Sequence, residues 1–320
     1  MKNLRAFDIL GNVAVVKFPK DFKLKEKKKF ASKILKENKS VKTVLEKTGK
    51  IKGRLRKPTT KWLAGEKTKE VLYKENNCVF RFNIDKTYFS PRLSNERKEI
   101  TSKVKKDAEV LVMFAGVAPF SIVIAKNSKA KKVVSLEINR EANKYANLNV
   151  ELNKLKDKVE IVQGDVKKVV EKWKNYNLSS LRSELIAPNQ TSPRFSAEKA
   201  INSKTFLSQK LQQTANFSLL KSKKSDERSE RAIPKKFDVI VMPRPQLKDT
   251  FLKQAFMLSK KGTRIYYYDF CKVGEEELIV EKIRKEAKES KKKIKILKVK
   301  IAGEIAPYKF RIRVDLEILQ

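Results

Sequence analysis

Three successive strands, the first apolar throughout and each ending in a small or acidic residue, constrain this chain more than any other feature. Val110–Phe114 is a continuous apolar run that leads into Ala115-Gly116. Val133–Ile138 follows and carries Glu137 near its end. Val159–Val162 closes in Gly164-Asp165. A strand apolar throughout, as Val110–Phe114 is, is buried on both faces, as in a parallel sheet covered by helices. Pro119, a favoured first helical residue, predicts a helix over Phe120–Lys126. Helices over Glu141–Leu155 and Val166–Lys174 then follow the second and third strands. Open sheets of this kind bind ligands outside the carboxyl ends of their strands. There Gly116 lets the backbone approach a ligand closely. Glu137, about 20 residues on, is set to accept hydrogen bonds from ribose hydroxyls. Asp165 can accept from an adenine amino group or cap the helix that begins at Val166. The predicted cofactor residues are Phe114, Gly116, Val117, Pro119, Glu137, Ile138, Asp165 and Val166. The chain has no phosphate-binding GxGxxG here, so a nucleoside cofactor such as S-adenosylmethionine fits better than NAD.

The rest of the chain extends this alternation. Phe237–Met242 reads as a fourth strand, Gln246–Leu258 as a helix, Arg264–Phe270 as a fifth strand and Glu275–Ser290 as a helix. Lys293–Ile305 and Phe310–Leu319 read as an antiparallel pair. The expected fold is α/β, a Rossmann-like class I methyltransferase sheet, mostly parallel with a C-terminal antiparallel hairpin. Residues 1–90 read as a small α+β domain ahead of it. Phe7–Val16 forms a strand pair around Gly11-Asn12, Asp21–Asn38 an amphipathic helix, and Val41–Leu55 and Glu70–Ile84 further strand-like stretches. The catalytic domain is then 91–320, with a low-complexity insertion at about 175–236 rich in Ser, Asn, Gln and Lys.

Charge narrows the partner. The 320 residues hold 76 Lys and Arg against 37 Asp and Glu, a formal net charge of +39. Such an excess attracts polyanions, nucleic acid above all. Part of it is also what a Lys-biased proteome produces. No apolar segment reaches the roughly 18 residues needed to span a bilayer, and the N-terminus lacks a signal-peptide pattern. There is no histidine, and only Cys78 and Cys271 are present. Histidine triads and histidine-ligated zinc are thereby excluded, no metal site is expected, and the cysteines fit a reducing cytoplasm. Proton transfer must fall to Glu, Asp, Lys, Tyr or the substrate.

Several motifs resemble one family: KGRLR (52–56), LAGE with KEN (63–76), YFSPRLSNER (88–97), FAGVAPFS (114–121), RIYYYDF (264–270) and IAPYKFRIRVDLEI (305–318). They resemble the archaeal and eukaryotic tRNA (guanine-N1)-methyltransferases that act on the purine 3′ to the anticodon, with their wybutosine-pathway aminocarboxypropyltransferase relatives. The resemblance covers nearly the whole chain outside the insertion. It implies S-adenosylmethionine as cofactor, tRNA as partner and a monomer. By motif, Arg56 matches the arginine that holds guanine O6. Glu96 matches the carboxylate that serves as general base on guanine N1, and Tyr88 the aromatic residue beside the cofactor. The chemistry is coherent, since guanine N1 is a poor nucleophile while protonated. A desolvated Glu of raised pKa can take the proton while a cation stabilises the enolate at O6. The structural alternatives are a surface salt bridge of Glu96 with Arg92 or Arg97, a phosphate contact for Arg56 and a core position for Tyr88.

Three positions depart from the family pattern. Val112 stands where the family has an Asp at the end of the first strand. Ala118 replaces a glycine of the turn, and Pro243 falls on the Asn of an Asn-x-Pro motif, leaving Pro243 and Arg244 as the expected substrate contacts there. Family members often carry a further elbow-binding domain, and this chain is expected to start directly at the second domain. The leading expectation is N1-methylation of guanosine beside the anticodon. Aminocarboxypropyl transfer to a wybutosine precursor and a non-catalytic RNA-binding role are the alternatives.

Overall fold

The structure, a computed structural model, describes residues 7–49, 59–174, 236–243 and 249–320. The chain divides into two units, Met1–Val169 with Lys236–Gln320, and Val170–Lys235. Of the second unit only residues 170–174 are described, and these are helical. The insertion expected at about 175–236 therefore lies, except for Lys236, outside the described residues.

The first unit opens with strands β1 (Phe7–Leu10) and β2 (Val13–Val16), helix α1 (Leu24–Glu37), β3 (Thr43–Lys47) and β4 (Thr60–Gly65). They form a four-stranded sheet in the order β1-β2-β3-β4, with β2 and β3 parallel across the α1 crossover. Ala31 and Ile34 of α1 pack with Ala14, Val16, Val44 and Leu63 as its core. β4 was not anticipated from the sequence.

A hairpin follows, β5 (Glu70–Glu75) and β6 (Cys78–Asn83), turning at Asn76 and Asn77 with φ of 46° and 60°. Two left-handed residues are what a tight hairpin of matching twist requires. This hairpin is held on both sides. Gly11, at φ +57°, lies so close to the Leu72 carbonyl that an added Cβ would sit 1.8 Å from its oxygen. The Asn12 amide donates to the Glu70 carbonyl at 3.2 Å and accepts from the Leu72 N–H at 2.7 Å. On the other side, Asn149 and Asn153 accept from the Arg81 and Val79 amides at 2.7 and 3.0 Å, and Asn153 donates to the Val79 carbonyl at 2.7 Å. These asparagine amides stand in for a neighbouring strand and satisfy the hairpin's backbone.

A 3-10 turn at Pro91–Leu93 leads into α2 (Ser94–Ser102), also not anticipated. The large sheet then builds as expected: β7 (Glu109–Met113), α3 (Pro119–Asn127), β8 (Lys132–Glu137), α4 (Arg140–Leu152), β9 (Val159–Gln163) and a helix from Val166. β10 (Phe237–Met242), α6 (Leu252–Met257, counting the Val166 helix as α5), β11 (Ser259–Lys272), α7 (Glu276–Glu289), β12 (Ile294–Ala306) and β13 (Lys309–Ile318) complete it. Strand order is β12-β13-β11-β10-β7-β8-β9, with β7 to β11 parallel and β13 antiparallel to both neighbours. Val110, Leu111, Val112 and Met113 of the central β7 are all fully buried. Val112 belongs to the main apolar core, where an Asp would need a partner. The helix expected over Gln246–Leu258 begins only at Leu252. Phe251 ahead of it is left-handed, at φ 59°, and accepts a turn in which its N–H donates to Asp249 Oδ1 at 2.9 Å.

Candidate active site

The turn after β7 alternates left-handed residues: Phe114 at φ 57°, Gly116 at 60° and Ala118 at 64°. For Phe and Ala this conformation costs about 1–2 kcal/mol each. Strain held this way marks a turn fixed by its surroundings. The surroundings are identifiable. Ala115 N–H donates to the Leu136 carbonyl at 3.0 Å, and Gly116 N–H to Glu137 Oε2 at 2.8 Å. Glu137 Oε1 accepts from the Ile138 and Asn139 amides, both at 2.8 Å. The acid expected to meet ribose hydroxyls is thus a buried hub joining the two loops at the carboxyl ends of β7 and β8. Three amides leave one of a carboxylate's roughly four acceptor positions.

Asp165 stands at the same edge, where Oδ1 accepts from the Lys167 N–H at 2.9 Å and caps the Val166 helix. Val117 and Val166 are buried, and Pro119 opens α3. The Phe114 ring meets Phe251 edge-on at 5.0 Å, and Lys167 lies over Phe251 at 5.5 Å while pairing with Asp249. Phe251 escaped the sequence reading because nothing local announces its left-handed backbone.

Tyr88 joins this turn to a cleft of about 550 Å³. Its carbonyl oxygen lies 3.4 Å from where a Cβ on Gly116 would stand. Its neighbour Phe89 stacks on Phe82 at 4.8 Å. Asp8, Lys47, Arg92, Phe270 and Arg311 line the cleft with Tyr88, so the four-stranded sheet and the C-terminal hairpin both contribute. Gly116, Glu137 and Asp165 do not line it; Tyr88 is where the two regions meet. Arg311 lies over the Phe270 ring at 5.6 Å, directly across the strands from it.

Glu96 departs from expectation. It is 3% exposed, and neither Arg92 nor Arg97 is its partner. Arg92 pairs with Asp8 at 3.3 Å and Arg97 with Glu75. Glu96 Oε2 instead accepts from the Tyr268 hydroxyl at 2.8 Å and Arg313 Nη1 at 2.5 Å, while Oε1 accepts from Lys300 Nζ at 2.8 Å. Burial works to raise its pKa, but Lys300, Arg313 and Tyr268 outweigh it and hold the carboxyl below its ordinary value. The raised pKa expected of a base is therefore corrected to a lowered one, because the site is desolvated but doubly ion-paired. The same cations hold Glu99 well down, Arg313 foremost. Tyr268 is pushed far up by burial and by the Glu96 charge, so it stays a donor.

Pro243 follows β10 and is half-buried, while Arg56 and Arg244 lie outside the described residues. Among the described residues no three His, Cys, Asp or Glu are grouped to hold a metal ion, and no helix is long and apolar enough to cross a membrane.

A sheet of this order, with a strained turn and an acid at its carboxyl edge, defines a Rossmann-like methyltransferase. The chain belongs to the TRM5/TYW2 methyltransferase family. Residues 71–178 match the TRM5/TYW2 methyltransferase domain and residues 1–68 the TYW2 N-terminal domain. It is 35% identical over 316 residues to the tRNA (guanine(37)-N(1))/4-demethylwyosine(37)-methyltransferase Taw22 of Nanoarchaeum equitans, covering 98% of this chain and 100% of that one. The crystal structure of Trm5b from Pyrococcus abyssi superposes with a TM-score of 0.71 at 27% identity, over 99% of this chain and 76% of that one. P. horikoshii TYW2, in complex with MeSAdo, shares the fold with a TM-score of 0.67 at 20% identity, over 98% and 91%.

Proposed function

We propose that this protein transfers the methyl group of S-adenosylmethionine to N1 of guanosine 37 in tRNA, 3′ to the anticodon. The observation that carries this reading is the end-to-end similarity to a relative named for that reaction. The cofactor supplies an electrophilic methyl group. The turn 114–119 fits a nucleoside cofactor, since Gly116 carries no side chain to block a close approach and Glu137 fixes the turn by accepting its N–H. Asp165 and Ile138 flank the same edge, as do Phe114, Val117, Pro119 and Val166. Tyr88 lies between cofactor turn and cleft, the position a residue ordering the target base needs. Arg56 is assigned to guanine O6, Glu96 to the N1 proton, and Pro243 with Arg244 to the flank of the base. Residues 1–90 act as the substrate domain and 91–320 as the catalytic domain. A net charge of +39 favours the tRNA backbone as the principal source of affinity.

A second reading, aminocarboxypropyl transfer from the same cofactor, is favoured by the match of residues 1–68 to the TYW2 N-terminal domain. One experiment separates them. The protein is incubated with S-adenosylmethionine and tRNA bearing either unmodified guanosine 37 or 4-demethylwyosine, and the nucleosides are identified by mass. N1-methylguanosine supports the first reading, and an aminocarboxypropyl adduct replaces it with the second. Cofactor binding with neither product overturns both.

A further inference from the structure

A base clamped by two cations is a poor base, and the geometry around Glu96 distinguishes its partners. Tyr268 and Arg313 hold Oε2 from inside the sheet. The Arg313 side chain is fully buried and forks onto Glu96, Glu99 and Asp315 at once. Lys300 holds Oε1, pairs with Glu99 as well, and is different in one respect: its side chain is 33% exposed. It stands on β12, the last strand of the sheet, near exposed Lys295 and Lys298. In register it faces Arg313, and beyond it Ala302 and Gly303 line the cleft, Gly303 opposite Arg311. Two residues along a strand span about 6.7 Å. The charged row that holds Glu96 is therefore one step below the row that floors the cleft.

We propose that Lys300 is a positioning residue that closes Glu96 in the free protein, and that RNA phosphates along the basic edge of β12 draw its ammonium away and open Oε1. The proposal rests on reading Glu96 as the proton acceptor. Lysine suits the role, being a point charge on a flexible stem that exchanges the Glu96 and Glu99 carboxylates for phosphates without moving the backbone. Arg313, committed to three acids, stays. With one cation withdrawn, the carboxylate binds a proton more strongly, the direction an acceptor needs. The N1 proton of the base then passes to Oε1 and the N–H electron pair remains on N1. The groups facing Glu96 are Tyr268 from β11, Lys300 from β12, Arg313 and through it Asp315 from β13, Glu99 from its own helix and, paired with Glu99, Lys103 just past that helix.

The test compares wild type and Lys300→Met with an unmodified tRNA transcript from about pH 3.5 to 9, a range that reaches below the ordinary carboxyl value. The value of kcat/KM reports the free protein, and the single-turnover rate at saturating protein reports the complex. The acid limb of kcat/KM is expected to rise by roughly one pH unit in Lys300→Met. The single-turnover limb is expected to coincide with wild type, because Lys300 has already left. Limbs that shift together, or that do not shift at all, overturn the proposal. A Glu96→Gln variant with undiminished single-turnover rate instead removes the reading of Glu96 as acceptor. A readout independent of activity uses reductive ¹³C-methylation of lysines and the Lys300 resonance, assigned by its loss in Lys300→Met. Saturating tRNA should move that resonance toward its position in free Glu96→Gln, and a resonance that stays put overturns the proposal.

Discussion

Arg97 and Glu75 form a two-pronged ion pair, with side chains 1% and 3% exposed, that ties α2 to β5. The same guanidinium donates to the Ser90 carbonyl at 3.0 Å and lies between the Phe89 and Phe120 rings, 5.2 and 5.5 Å from their centres. It thereby fixes the segment that presents Tyr88 to Gly116. A planar fork can do all of this together; an ammonium cannot.

Arg97→Met should strand the Glu75 carboxylate in the interior and lower stability by about 3–5 kcal/mol. Urea unfolding measures this directly. Adding Glu75→Gln to Arg97→Met should restore part of the loss, and a double variant no better than the single would show that the cost lies in packing on the two rings.

Acid should destabilise the protein through the α2 cluster. Arg313, against burial and with Lys300 and Lys103, holds Glu99 low, and Glu96 is held low beside it. A carboxyl depressed in the folded state contributes stability that is fully present above its unfolded value, near 4.3. That contribution disappears as pH falls through the folded value. Unfolding free energy should therefore change little through these groups above pH 6 and fall progressively below about pH 5. In Glu99→Gln the fall should be shallower; an identical acid slope would exclude Glu99 as a source.

Glu137→Gln keeps the shape of the side chain but presents an amide NH₂ where one carboxylate oxygen now accepts. At least one of the Gly116, Ile138 and Asn139 amides loses its acceptor, at about 1–3 kcal/mol. Calorimetric titration with S-adenosylmethionine should show affinity lowered by roughly tenfold or more. Stability lost with affinity retained would limit Glu137 to a scaffold role.

Asn77 occupies the second left-handed position of the β5–β6 turn and is exposed. Asn77→Gly should raise the unfolding free energy by a few tenths to about 1 kcal/mol without altering cofactor binding. Asn76 is a poor choice for the same change, because its amide bonds Ser94 at the start of α2.

The parallel core was legible because its strands are short, mostly apolar runs, continuous over Val110–Phe114, and the closing hairpin because Phe310–Leu319 alternates. α2 was not, because Glu96, Arg97 and Thr101 are buried polar residues on the face that periodicity expects to be apolar. Nor could sequence spacing reveal that Glu96 meets Lys300 and Arg313, which lie 204 and 217 residues away. The motif singled out Glu96, but its electrostatic setting is a property of the assembled sheet. Gly116, Glu137 and Tyr88 come to one edge as their order implied, although Glu137 spends three of its bonds on backbone.

The asparagine at position 12 has a practical consequence for anyone dissecting this molecule. The two matched family segments meet between residues 68 and 71, an inviting place to cut. The side chain that completes the Glu70 and Leu72 backbone lies on the far side of that cut. A shortened chain beginning near residue 70 would expose an open strand edge, a template for aggregation rather than a clean starting point for crystallisation or assay.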